Sequence, residues 1–322
     1  MKKNTVFPAA AVLSACVFSP YPLSAEPATV KTGVYVVSLD NFNYSGSSFN
    51  ATFWIWGFFE SEKAGALYTG GLEFISANTI GKEQEGFIPS DVGSLIQQKY
   101  RAEMQHTWNM KNYPFIKDTL SIYLENLTDA SAFRFEPDKA QSGISDRYEN
   151  SEWNIDGFSI TAPEYVYNTN YGDRRHNNEG NIYSRLEVDI AISKKSPWIT
   201  FFKLTASVYL FFLLSLLPFF MEPGTDSRLS IPCATLFAVV SNQNIVDSIV
   251  PASTAITLLD SIHSLTQITI ICIIAVLIAT NNLQIQPEPA GRERSRRYDR
   301  AALVAIPALY VAVNLIMLRG CI

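Results

Sequence analysis

Cysteine is scarce in this chain and missing from its polar first half. Of the 322 residues only four are cysteine, at positions 16, 233, 272 and 321. The stretch from Glu26 to Trp198 therefore has neither an internal disulfide nor a cysteine-based zinc site. A domain in this stretch must be stabilised by its hydrophobic core alone.

The groups that usually carry catalysis are also rare. The three histidines, His106, His176 and His263, lie in unrelated sequence contexts. The sequence contains no Gly-x-Ser-x-Gly motif, no phosphate-binding loop and no metal-ligand spacing. We therefore expect a protein that is not an enzyme, with no catalytic residue, no metal and no cofactor.

Charge is unevenly distributed along the chain. From Glu26 to Trp198 there are 23 acidic and 15 basic residues, a net charge of −8, whereas residues 281–300 contain five arginines. A basic segment could indicate nucleic-acid binding, but this one lies between apolar segments. That position is typical of a cytoplasmic loop in a membrane protein, so we expect no nucleic-acid partner.

Residues 1–25 have the pattern of a secretion signal. Lys2 and Lys3 precede an apolar stretch, and small residues end it at Ala25. This pattern predicts cleavage after Ala25. A lipobox-like sequence ending at Cys16 leaves lipidation at that residue as an alternative.

Residues 26–197 carry the signals of β-strands. Short runs of β-branched and aromatic residues alternate with polar ones, and turns rich in Gly, Pro and Asn separate them. Near the end of this stretch, Leu186, Val188, Ile190 and Ile192 are expected to share one face of a strand. The pattern predicts an all-β, immunoglobulin-like sandwich of about ten strands, exported to the periplasm.

Residues 198–322 contain four long apolar segments and one basic connection. Each segment is long enough to cross a hydrocarbon core about 30 Å thick. An even number of spans leaves both termini in the periplasm and the basic connection, 281–300, in the cytoplasm. We expect a multi-pass protein in contact with lipid in a bacterial inner membrane. The predicted helices cover 199–221, 228–250, 258–280 and 301–318.

The second apolar segment has a stripe of small, hydroxyl and amide side chains. At about 100° per residue, six positions fall within roughly 40° of one line along the helix. Such a stripe either faces water inside the membrane or bonds to neighbouring helices, and the segment by itself leaves both open. The six positions are Ser230, Ala234, Phe237, Ser241, Asn244 and Ser248.

Two further motifs flank the apolar segments. An aromatic-Pro-aromatic sequence, Tyr113-Pro114-Phe115, lies between two predicted strands, and the segment 226–251 begins with an acidic residue and ends with a proline. With the exported sandwich and the four helices, they make the chain resemble the pentameric ligand-gated ion channels, or Cys-loop receptors, in their prokaryotic branch. His106 and Leu120 occupy about the positions of the family's two cysteines, so the namesake disulfide is missing.

The resemblance implies a homopentamer around a pore that conducts monovalent cations. Rings of Phe237 would form an apolar gate that closes by dewetting. Asp226 would form an acidic ring at the cytoplasmic entrance, which favours cations. The family's pattern assigns coupling between binding and gating to Tyr113, Pro114, Phe115, Lys194 and Pro251.

The resemblance also places a ligand site between subunits of the β-domain. Aromatic rings around a cavity can hold an ammonium group, so a small molecule is one expected agonist and protons are the other. A non-conducting membrane sensor with the same binding domain is the alternative function. The candidate ligand-binding residues are Phe133, Tyr167, Tyr171, Tyr183 and Trp56.

Overall fold

The computed structural model describes residues 26–172, 181–225, 227–249, 256–284 and 289–321. The expected signal segment 1–25, with both Ala25 and Cys16, lies outside the described residues.

The first part of the chain is a sandwich of two β-sheets. The first sheet has the strand order β4-β5-β2-β1-β7, with β8 also paired to β1. In the second sheet, β10-β11-β6-β3 follow one another and β9 pairs with β11. The first sheet consists of β1 (Ala28–Asn43), β2 (Ser48–Phe59), β4 (Ala77–Ser90), β5 (Gly93–Gln105), β7 (Phe133–Pro137) and β8 (Gly143–Ile144). The second consists of β3 (Leu72–Phe74), β6 (Lys117–Asn126), β9 (Trp153–Thr161), β10 (Glu164–Val166) and β11 (Ile182–Lys194). The predicted all-β sandwich is confirmed, with eleven strands among the described residues.

Alternation along the strands builds the core between the sheets. The predicted inward face of β11 is buried, and Ile190 lies opposite Leu120 of β6. Burying one such aliphatic side chain stabilises the fold by about 1.5–3 kcal/mol. The β-domain is therefore stabilised by this hydrophobic core and not by a disulfide. The buried residues on β11 are Leu186, Val188, Ile190 and Ile192.

One helix interrupts the strands and is not evident from the strand pattern. This helix, α1 (Glu62–Gly71), begins at Ser61, whose hydroxyl accepts a hydrogen bond of 3.2 Å from the amide of Ala64. Its buried Tyr68 lies over Gly57 of β2, where an added Cβ would come within 2.6 Å of the ring. Glycine at position 57 therefore allows the helix to pack closely on the sheet.

Four helices follow, and all are long and apolar enough to cross a membrane. The chain is therefore a multi-pass membrane protein. The second membrane helix is the most polar, with a mean hydropathy of 1.3 against 1.8 to 2.3 for the others. The helices are α2 (Pro197–Ser215), α3 (Ser227–Ile249), α4 (Leu258–Gln284) and α5 (Pro289–Arg319), and a short 3₁₀ helix, Leu217–Phe220, follows α2.

Two helix boundaries differ from the sequence expectation. Helix α2 ends at Ser215 and continues as a 3₁₀ turn, because Pro218 lacks an amide hydrogen and cannot extend an α-helix. Part of the expected loop 281–300 is helical, since α4 continues to Gln284 and α5 begins at Pro289. Arginine and glutamate favour helices, and Arg297 pairs with Glu293 one turn earlier at 2.7 Å.

Candidate pore helix, domain junction and ligand pocket

The predicted stripe of α3 faces away from the rest of the subunit. All six positions are exposed, and Phe237 has 75% of its surface accessible. A large ring left open on a membrane helix can face lipid, a neighbouring subunit or an axial pore. The exposed positions are Ser230, Ala234, Phe237, Ser241, Asn244 and Ser248.

The opposite face of α3 packs against the other helices. Val239 and Val246 are buried there. The amide of Asn242 meets the imidazole of His263 on α4 at 3.1 Å, and Gln267 Nε2 donates to Gln243 Oε1 at 2.7 Å. Two sets of polar side chains on α3 can therefore be distinguished: Asn242 and Gln243 bond to α4, and the stripe faces outwards.

Both ends of the predicted pore helix carry a residue that the structure does not cover. Asp226, the expected acidic ring, and Pro251, the expected coupling residue, lie outside the described residues. Pro232 lies inside α3, which continues through it from Ser227 to Ile249.

The aromatic-Pro-aromatic loop joins the β-domain to two membrane helices. Tyr113 is buried in the β-domain. The ring of Phe115 lies 4.8 Å from that of Trp198 and 5.8 Å from that of Phe201, both on α2. The amide of Leu258, the first residue of α4, donates to the carbonyl of Lys111 at 2.9 Å. The loop is therefore in contact with both α2 and α4.

Lys194 connects the last strand to the same loop. Its amide donates to the carbonyl of Ile116 at 3.1 Å. Its Nζ donates to Glu152 Oε2 at 2.7 Å and lies 5.1 Å from the ring centre of Trp153. These contacts hold β11 and the loop together just before α2 begins. Pro114, between the two aromatics, is buried in the same loop.

Three of the predicted ligand-binding residues share one cavity of about 470 Å³. The ring of Tyr167 lies 5.6 Å from that of Tyr171 and 5.7 Å from that of Tyr183. Glu73 and Glu125 also line the cavity. Aromatic faces beside carboxylates suit a cationic ligand.

Glu125, which lines this cavity, forms a buried ion pair with Arg185. Arg185 Nε donates to Glu125 Oε1 at 2.6 Å, and its Nη2 donates to the hydroxyl of Tyr167 at 3.2 Å. The guanidinium carbon lies 3.5 Å from the ring centre of Tyr165. Burial, together with the hydrogen bond to Glu125, raises the pKa of Tyr167 to about 12. The phenol therefore remains protonated and donates to the carboxylate at 3.0 Å.

The other two predicted ligand residues lie elsewhere. Phe133 is fully buried and stacks edge-on with Phe135 at 4.9 Å, so it belongs to the core and does not line this cavity. Alternation on the short strand β7 turns both rings inwards. Trp56, which is expected to reach the site from the neighbouring subunit, lies on the first sheet, where its indole nitrogen donates to Asp138 at 3.3 Å.

Sequence reasoning missed Glu125 and Arg185. The two residues are 60 positions apart and become neighbours only because β6 and β11 pair in one register. Each is one of several charged residues on its strand, and most such residues are exposed, so neither stands out in the sequence.

The pKa values of Asp118 and Glu187 in the β-domain are shifted in opposite directions. Burial alone would raise the pKa of Asp118, but hydrogen bonds from His106, at 3.2 Å, and from the amides of Thr119 and Asn109 hold it below its usual value. Burial raises the pKa of Glu187, and the charges of Asp189 and Glu125 add to the shift. Both groups take up a proton on acidification, Glu187 at a higher pH and Asp118 at a lower pH than an ordinary carboxyl group.

Comparison with known proteins gives one relative across nearly the whole chain. The chain is 20% identical over 317 residues to a proton-gated ion channel from Gloeobacter violaceus, an alignment that covers 92% of this chain and 84% of the relative. No protein-family model matches the chain.

The relative is an ion channel and not an enzyme, in agreement with the scarcity of catalytic motifs. The alignment spans both the β-sandwich and the four membrane helices, so the likeness covers the domain order and not one domain alone. This order, a two-sheet sandwich followed by four membrane helices, and the likeness to a channel along almost the full chain confirm the resemblance to the pentameric ligand-gated ion channel superfamily.

Proposed function

We propose that the chain forms a homopentameric, cation-selective channel of a bacterial inner membrane, opened by protons or a small molecule acting on the periplasmic β-domain. The observation that carries this proposal is the outward stripe of α3. Its six positions are exposed in the single subunit, while Asn242 and Gln243 of the same helix bond to α4. If five copies surround an axis, their stripes line a water-filled pore along that axis.

In the closed state, five Phe237 rings narrow the pore and exclude water. Ser241, Asn244 and Ser248 line the wider outer half, and Ser230 and Ala234 the inner half. The acidic β-domain above the pore raises the local concentration of cations.

Opening begins in the β-domain and reaches α3 through the contacts between the β-domain and the membrane helices. A ligand in the cavity lined by Tyr167, Tyr171 and Tyr183, here called the tyrosine cavity, changes how β11 packs. Protonation of carboxylates near this cavity has the same effect. Lys194 at the end of β11 transmits the change to the loop 109–116, which contacts α2 through Phe115 and α4 through Lys111. The pore helix then tilts because it is bonded to α4.

A cationic small molecule suits the tyrosine cavity, whose lining includes Tyr167, Tyr183 and Glu73. Protons are supported by the proton-gated relative and by the raised pKa of Glu187. The two agonists are separated by recording current during a pH step with no added ligand, and then at constant pH with simple amines.

Cysteine accessibility tests the pore directly. In a background without native cysteines, Ser241→Cys and Asn244→Cys should react with a charged, water-soluble thiol reagent, and the reaction should block the current. Val239→Cys is the matched control, because Val239 is fully buried on the opposite face. Equal protection of all three cysteines, open or closed, would contradict the proposal.

A non-conducting sensor is distinguished by a second variant. Phe237→Ser removes the apolar ring, so a channel should leak without agonist, whereas a sensor should show no current before or after the change. Currents from purified protein in planar bilayers give the answer.

A further inference from the structure

Arg228 is a charged residue at the start of the pore helix, yet it is fully buried. It lies nine residues before Phe237, so at about 100° per residue it is on the opposite side of α3. A guanidinium without water must have partners, because an unpaired buried charge is very costly.

The guanidinium bonds to three residues that lie outside α3. Arg228 Nε donates to the carbonyl of Pro218 at 3.1 Å, Nη1 donates to Asn281 Oδ1 at 2.7 Å, and Nη2 donates to Asp299 Oδ2 at 2.5 Å. Pro218 follows α2, Asn281 lies on α4 and Asp299 on α5. One side chain thus joins the inner ends of all four helices.

Asp299 is the charged member of this set, and its side chain is only 5% exposed. It neutralises Arg228, which the other two contacts do not. Glu222 and Arg296 form another ion pair nearby, at 3.6 Å, but both are largely exposed and neither is bonded to Arg228.

We infer that Asp299, on the last helix α5, is a positioning residue for ion selectivity: it holds Arg228 inside the bundle and so keeps a ring of positive charge out of the inner mouth of the pore. The inference rests on the proposed channel function. Arg228 is the second residue of α3, and its neighbour Ser227 is exposed. A guanidinium released from Asp299 is free to turn towards that exposed side on its long side chain.

The charge-neutralising variant Asp299→Asn tests this inference. Five guanidinium groups within about one screening length, roughly 8 Å, of the pore axis would repel cations and attract anions. We expect the cation-to-anion permeability ratio, measured from reversal potentials in a KCl gradient, to fall roughly tenfold. Asp299→Glu, which keeps the charge, should retain the wild-type ratio.

The double variant Arg228→Gln/Asp299→Asn is the matched control. It loses the same ion pair but has no positive charge to release, so its permeability ratio should remain that of the wild type. If Asp299→Asn has an unchanged ratio and only a lower melting temperature, the role of Asp299 is purely structural and the inference is wrong.

Labelling of arginine by a water-soluble dicarbonyl, followed by mass spectrometry, tests the position of Arg228 without any current. In the wild-type protein Arg228 should be protected while the exposed Arg296 is modified. Modification of Arg228 in the wild type would overturn the inference even if Asp299→Asn fails to assemble. Absence of current in the wild type would instead overturn the proposed function, and protection of Arg228 would still support its place in the bundle.

Discussion

Breaking the ion pair behind the tyrosine cavity should strongly destabilise the β-domain. The change is Arg185→Leu, which leaves Glu125 buried without its cationic partner; the two side chains are only 10% and 5% exposed in the intact pair. Removing one partner of a buried pair typically costs about 3–5 kcal/mol, because the remaining charge is uncompensated.

This cost sets the size of the expected shift in melting temperature. The β-domain is of a size for which 1 kcal/mol corresponds to about 2–4 °C, so the midpoint should fall by roughly 10 °C. All five tryptophans lie in the β-domain or at its junction with α2, at positions 54, 56, 108, 153 and 198. Their fluorescence during heating of the full-length protein therefore reports the unfolding of this domain.

Two controls distinguish the effect of the uncompensated charge on stability from the effect of removing the arginine side chain. Arg185→Leu/Glu125→Leu removes both charges and should recover most of the loss, since buried pairs are often replaceable by apolar residues. Arg134→Leu breaks a pair with Glu164 that is equally short, at 2.6 Å, but about half exposed, and it should shift the midpoint little. A double variant as unstable as Arg185→Leu would refute the reasoning.

Three further predictions concern the dependence of stability on pH and the coupling of the β-domain to the membrane helices. Asp118→Asn should be less stable than the wild type above the unfolded pKa of about 3.9, and the difference should disappear as the pH falls through the lowered folded pKa of Asp118, measured by melting in a pH series. Glu187→Gln should be more stable than the wild type at neutral pH, because the folded pKa of Glu187 is raised; the advantage should vanish as the pH falls towards about 4.3, and a constant advantage would contradict it. Phe115→Ala should remove the ring contacts with Trp198 and Phe201 and shift the agonist dose-response curve to higher concentration, whereas the same substitution at Phe87, an exposed residue of β4, should not.

The periodic elements could be predicted from the sequence because their burial is local. The alternation of Leu186, Val188, Ile190 and Ile192 identifies the inner face of β11, and all four side chains are buried. The stripe on α3 follows from the helical repeat in the same way. In both cases the side chains that share a face are close in the chain, so no knowledge of the rest of the fold is required.

The features that sequence reasoning missed depend on distant residues. Helix α1 has a weak amphipathic pattern and is stabilised by the contact of Tyr68 with Gly57, across the sheet. Phe133 looks like a candidate for an aromatic cage, but pairing of β7 with β1 turns it into the core. The pair of Arg185 and Glu125 exists only in one strand register. Such contacts require the assembled sandwich.

The contacts of α3 also indicate which parts of the subunit move together. Asn242 and Gln243 bond to α4 near the outer end, and Arg228 bonds to α4 and α5 at the inner end. Sliding α3 past α4 would break these hydrogen bonds, each worth about 0.5–1.5 kcal/mol, and would leave Arg228 without its counter-charge. The pore helix is therefore expected to tilt together with α4, and the change in pore width arises at the contact between neighbouring subunits.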